Sequence, residues 1–162
     1  MNPVEVLNKE HEAIEVELDE LDFIMGDSGC PTSDSDEVNS GEVNYPNLVH
    51  TFWKLCKLWE NHEEMEEELF KVMDKEGFNI PVKSIFLEHK SLKKQVKNIG
   101  DAINSGSDFK VRKILCKDVR EFVDVLRKHA GDEEDVLSGV IVSEFSDEGM
   151  REIRRIVGKY RE

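Results

Sequence analysis

The chain has 162 residues, 38% of them apolar and 36% charged, with 36 acidic against 22 basic side chains for a formal net charge of -14. A chain this apolar can bury a core, and one this charged is not a membrane protein. The acidic balance argues against a general basic face for nucleic acid and against docking on an anionic membrane surface, so neither partner is expected.

Asn2-Pro3 opens the first predicted helix, a capping residue followed by proline at the first helical position. Its apolar stripe is Val4, Leu7, Ile14, Leu18, Leu21 and Met25, and Gly26 ends it. Residues 26–43 mix Gly, Ser and Pro with acids and read as a long solvated loop. The second helix runs from near Pro46 to about Glu76, with Phe52, Leu55, Trp59, Leu69 and Met73 as its stripe and Gly77 as its stop. Pro81 opens the third, which carries Ile85, Leu92, Val96, Ile99 and Ile103 and closes at Asn104-Ser105-Gly106-Ser107. The fourth starts near Asp108 with Leu115, Val119, Phe122 and Leu126, and continues past Gly131 to Val136, Leu137 and Val140. Ser146-Asp147 caps a short fifth helix with Met150, Ile153, Val157 and Tyr160 inward.

No segment alternates with period two, Gly and Pro together number only 14, and the links are short apart from 26–43. The expected fold class is therefore all-α: an up-down-up-down four-helix bundle over about 2–142, with a short extra C-terminal helix over about 146–160. One domain over 1–162 is expected, without an internal repeat. The first residues carry no basic and apolar leader, so no secretion signal is expected, and Val140-Ile141-Val142 is far short of a membrane span. Cys30, Cys56 and Cys116 form no Cys-x-x-Cys pair and read as reduced thiols in a cytoplasmic protein.

The informative residues interrupt the apolar stripes. In the first helix the stripe runs Leu7, His11, Ile14; in the second Trp59, His62, Glu66, Leu69; in the third Ile85, His89, Leu92; in the fourth Leu126, His129, Glu133, Leu137. Each bundle helix thus puts one histidine on its buried face, and two add a glutamate one turn later. His11 and His89 lie ~12 Å below the starts of their helices and His62 and His129 ~18–21 Å before the ends of theirs, at 1.5 Å per residue. In an antiparallel bundle all four share one level.

A buried carboxylate is very costly without a counter-charge, and no lysine or arginine interrupts these stripes near that level. A divalent metal is the natural partner. Four imidazoles and two carboxylates exceed one zinc tetrahedron and suit two metals bridged by carboxylates, with iron ahead of manganese or zinc. Taken singly, each histidine reads as a satisfied core residue and the run Glu63-Glu64-Met65-Glu66-Glu67-Glu68 as a solvated face; their coincidence at one depth in four helices points to a joint site.

In this order and spacing, His11, His62-x-x-x-Glu66 followed by Leu69-Phe70, Glu88-His89, and His129 with Glu133-Glu134 resemble a hemerythrin-like (HHE cation-binding) domain over roughly residues 2–142. The resemblance implies a non-heme di-iron centre with an oxo or hydroxo bridge and bridging carboxylates. Oxygen-carrying members have a further histidine where this chain has Ile85, and their last carboxylate matches Glu134. The four-residue step to Glu133 is more similar to the iron–sulfur cluster repair and iron-sensing members, which makes Glu133 the bridging candidate and Glu134 the reserve. Glu63 is read first as a solvent-facing acid and second as an extra ligand.

Three functions follow as expectations. The first is a module that binds or senses O2, NO or iron at the centre. The second is a redox or repair protein that acts on NO or peroxide or donates iron. The third is a metal-free structural bundle. No Ser-His-Asp order, phosphate-binding glycine loop or nucleotide fingerprint is present, and His50 reads as structural or exposed.

Overall fold

A computed structural model of the chain describes residues 2–26, 44–105 and 109–161. The loop expected over 26–43, Cys30 within it, and the Gly106-Ser107 stop lie outside these residues, apart from Gly26 itself.

Helix α1 spans Pro3–Met25. The Asn2 side chain accepts hydrogen bonds from the Val4 and Glu5 amides at 3.0 and 3.3 Å, and Pro3 takes the first turn, where its missing N–H costs nothing. Gly26, at φ 55°, ends the helix in a conformation that side-chain-bearing residues avoid. Helix α2 spans Tyr45–Lys75, capped by Asn44, which accepts from the Asn47 amide at 3.1 Å. Gly77, at φ 99°, lets the chain turn away from it. Helix α3 spans Val82–Asn104 and α4 spans Phe109–Leu137. Gly131 does not break α4; it is exposed, with open space around it. The helix stops at Leu137, so Val140 lies beyond it, followed by a single 3-10 turn at Val142–Glu144. Helix α5 spans Asp147–Arg161.

The bundle closes in a ring: α1 packs on α2 and α4, and α3 packs on α2 and α4. This is the expected up-down-up-down arrangement, with α5 laid against α2. Two apolar clusters fill it. One joins Leu18, Phe52, Trp59, Leu92, Val119 and Phe122 among others. There the Phe122 ring meets Phe52 and Trp59 edge-on at 5.7 and 6.4 Å, contacts worth about 0.5–1.5 kcal/mol each beyond the area they bury. The other joins Leu7, Met65, Leu69, Phe70 and Ile85 to Ile153, Ile156 and Val157 of α5. Burying α5 there requires those three residues to share one face, which the spacing 153, 156, 157 provides. Met150 and Tyr160 are only half-buried.

Cys56 is a free, buried thiol, and burial pushes its pKa far up. Cys116 is disulfide-bonded, which corrects the reading of all three cysteines as reduced and removes that argument for a reducing compartment. Trp59 is core; Trp53 is partly exposed and lies over Gly100, where a Cβ would come within 3.0 Å of its ring. His50 is exposed. Among the described residues no helix is long and apolar enough to cross a membrane.

Candidate metal centre

A polar layer separates the two apolar clusters. It contains His11 from α1, His62, Glu63 and Glu66 from α2, His89 from α3, and His129 and Glu133 from α4, each at most 4% exposed. The structure brings together all six residues that the stripes single out. Their donor atoms form two overlapping groups, His11–His62–Glu66–Glu133 and His89–His129–Glu66–Glu133. Both carboxylates belong to both groups.

The inward nitrogens converge on those carboxylates. His62 Nε2 is 2.8 Å from Glu66 Oε2, and His89 Nε2 is 3.0 Å from Glu66 Oε1 and 3.3 Å from Glu133 Oε2. His129 Nε2 is 3.1 Å from Glu133 Oε2, and His11 Nε2 is 3.5 Å from an oxygen of each glutamate. Two of these contacts are hydrogen bonds, His62 Nε2 with Glu66 Oε2 and His89 Nε2 with Glu133 Oε2, and they do not satisfy the rest. His11 Nε2, His129 Nε2 and Glu66 Oε1 are buried with no hydrogen-bond partner. Buried polar atoms are otherwise almost always satisfied. Convergent nitrogen and oxygen donors left unsatisfied fit a bound cation, and imidazole with carboxylate is a donor set for iron, manganese or zinc.

The outward nitrogens meet a second ring of acids. His62 Nδ1 is 2.9 Å from Glu10, His89 Nδ1 is 3.1 Å from Glu67, and His129 Nδ1 is 2.7 Å from Glu88. His11 Nδ1 lies 3.4 Å from Glu134. A carboxylate on the far nitrogen keeps the proton there and turns the Nε2 lone pair inward, the arrangement typical of metal-binding histidines. Sequence reading missed Glu10, Glu67 and Glu88. The signal was available: Glu10 and Glu88 each precede a stripe histidine and reach across to the histidine of the next helix. Glu134, the reserve ligand, is 52% exposed and belongs to this outer ring, whereas Glu133 points in.

Glu63 is not the solvent-facing acid that its run suggests. It is 1% exposed, with Oε1 3.8 Å from His89 Nδ1 and 3.0 Å from Lys93 Nζ. Burial pushes its pKa up, against the pull of Lys93.

The electrostatics follow from the packing. Burial alone would raise Glu66, yet His62, Glu133 and His11 hold its carboxyl well below the usual range. Burial alone would lower the histidines, yet the facing carboxylates push His11 up to about 9 and His62 and His89 up to about 10. His129 is raised for the same reason. Without a metal, protons on the imidazoles balance the buried carboxylates.

The family model of the Hemerythrin HHE cation binding domain matches residues 2–141. The chain belongs to this family. The hemerythrin match covers α1 to α4, which carry the whole polar layer, and ends before α5. Comparison with curated proteins and with solved structures gave no match. The buried groups of this hemerythrin-family bundle fit a metal-cation site.

Proposed function

We propose that this chain holds two metal ions, iron by preference, and uses them to bind or sense O2, NO or iron supply. The observation that carries the reading is the pair of four-residue groups sharing Glu66 and Glu133. His11 and His62 would hold one ion, and His89 and His129 the other. Iron in such a centre supplies a redox-active Lewis acid that takes up small ligands. The protein's part is to fix and shield it. Glu10, Glu67 and Glu88 orient three of the imidazoles, and the apolar clusters on either side keep bulk water from the layer.

A second reading is a di-iron redox or repair protein acting on NO or peroxide, or donating iron. The donor count favours keeping it: each half offers two imidazoles, and Ile85, buried one turn before His89, adds none.

Metal analysis with the near-ultraviolet and visible spectrum tests the centre. About two irons per chain with charge-transfer bands support it. A chain that holds no metal as purified and takes up no Fe(II) anaerobically is a structural bundle. Stopped-flow mixing of the reduced protein with O2 or NO separates the two readings. A reversible spectral change supports binding or sensing; turnover supports redox chemistry.

A further inference from the structure

The two-ion reading leaves one buried acid without a task. Glu63 belongs to neither four-residue group, yet it lies in the same layer and is as deeply buried as the six that do. Neither of its oxygens accepts a hydrogen bond; its close partner is the ion-paired Lys93 ammonium at 3.0 Å. A buried carboxylate whose close charge partner is a half-exposed ammonium is compensated only in part.

Glu63 also has a second side. A groove of about 280 Å3 runs between α2 and α3, lined by Trp59, Glu60, Glu63, Glu64 and Lys93 among others. At its exposed edge Glu60 and Glu64 stand beside Lys93 and Lys97, and Lys97 is paired with Asp101, so Lys93 is the cation that faces Glu63 there. Glu63 lines this groove and lies beside His89, where Glu63, Glu67 and His89 Nδ1 make a third cluster of possible donors. Lys93 itself is 58% exposed, so its ammonium can leave for solvent. A divalent cation, with twice the charge, displaces it from a carboxylate. The opposite helix pair has no such device, because the residue after His129 is Ala130.

We propose that Glu63 is a transfer group for divalent cations. It takes the ion from the α2–α3 groove and passes it into the layer beside His89, while Lys93 neutralises the carboxylate between loading events. This rests on the two-ion reading and adds the route by which the site fills.

The test is Co(II) uptake by the metal-free protein, followed by visible absorption in a stopped-flow instrument, and release to a chelator. Glu63→Gln keeps the shape and removes the charge. A carrier acts on both directions equally, so uptake and release should slow together by about tenfold or more. Stoichiometry and Kd should not change. Lys93→Met removes the competing ammonium and should speed uptake severalfold. Unchanged rates in both variants overturn the proposal. Fewer than two ions in Glu63→Gln, or faster release with normal uptake, overturns it differently, by making Glu63 a ligand of the centre. Absence of uptake by the unmodified protein overturns the two-ion reading itself. Far-ultraviolet circular dichroism confirms that each variant is folded, and Lys93→Met tests the route independently of any change at Glu63.

Discussion

The pair α1–α2 and the pair α3–α4 carry the same chemistry in the same order, yet their flanks differ. On α1 and α3 a glutamate precedes the histidine, as Glu10-His11 and Glu88-His89. On α2 and α4 the histidine is followed by two glutamates, as His62 with Glu66-Glu67 and His129 with Glu133-Glu134. One turn before His11 and His89 stand Leu7 and Ile85, both buried. Ile85 is thus the counterpart of Leu7, and both halves offer two imidazoles, one inner carboxylate and two outer ones. The halves part at the next position: Glu63 follows His62 and faces a groove, whereas Ala130 follows His129. On the α4–α1 side Arg127 binds Glu15, Asp19 and Asp22 of α1. The donor set is common to both halves; the proposed route of entry belongs to one.

The largest effects are expected where the halves are most alike. Glu66 and Glu133 serve both groups, so Glu66→Ala and Glu133→Ala should each lower bound metal from two ions to one or fewer. His62→Ala and His129→Ala should each lose the ion of one half. Metal analysis after dialysis measures this, and a normal content in either glutamate variant breaks the shared-carboxylate picture. In the metal-free protein Glu66→Ala leaves imidazolium groups buried without their partner, at about 3–5 kcal/mol in denaturant unfolding.

The pH response should separate the empty layer from the filled one. In the metal-free protein His11, His62 and His89 are raised from 6.5 to about 9, 10 and 10. Stability from a raised group is fully present below its unfolded value and is lost as pH rises through the folded one. The metal-free protein should therefore lose Tm steadily from about pH 7 to pH 10. The loaded protein, whose imidazoles are already deprotonated, should not. Metal loading must expel the same protons, so affinity should rise with pH, by about tenfold per unit for each proton displaced. A metal-free Tm that rises over this window contradicts the assignment.

The outer carboxylates sharpen the comparison further. Glu10→Gln acts on His62 and Glu88→Gln on His129, so each should weaken one half, by about 10–100-fold in affinity. Isothermal titration with Co(II) should then show one normal and one weakened step in each variant. Two weakened steps would mean that the halves are coupled through Glu66 and Glu133.

Much of this was legible in the sequence. Asn2-Pro3, Gly26 and Gly77 mark helix ends because caps and positive φ are local requirements. The stripe positions of His11, His62, Glu66, His89, His129 and Glu133 follow from helical period alone. Glu63 was misread because a run of acids hides which member faces inward; only the groove against α3 shows it. The near two-fold order was not read as a repeat, since it rests on a few residues per helix amid unrelated neighbours. The disulfide at Cys116 could not be read, because spacing alone gives no distance between cysteines.

Two glycines give the smallest and cleanest contrast. Gly131 lies in α4 two residues beyond His129, and a Cβ there meets nothing within 4 Å. Gly131→Ala should therefore gain about 0.5–1 kcal/mol from helix propensity, with metal content unchanged. Gly149 lies in the first turn of α5, where a Cβ would clash with a Glu76 carboxylate oxygen. That carboxylate accepts hydrogen bonds from the Ser146 amide at 2.8 Å and hydroxyl at 2.7 Å, tying the start of α5 to the end of α2. Gly149→Ala must swing Glu76 aside, and the lost bonds should cost about 1 kcal/mol or more despite the better helix former. Thermal melts of the two variants test whether α5 is held at that point. If Gly149→Ala is as stabilising as Gly131→Ala, the Glu76 contact contributes nothing, and the apolar face of Ile153, Ile156 and Val157 alone holds the helix.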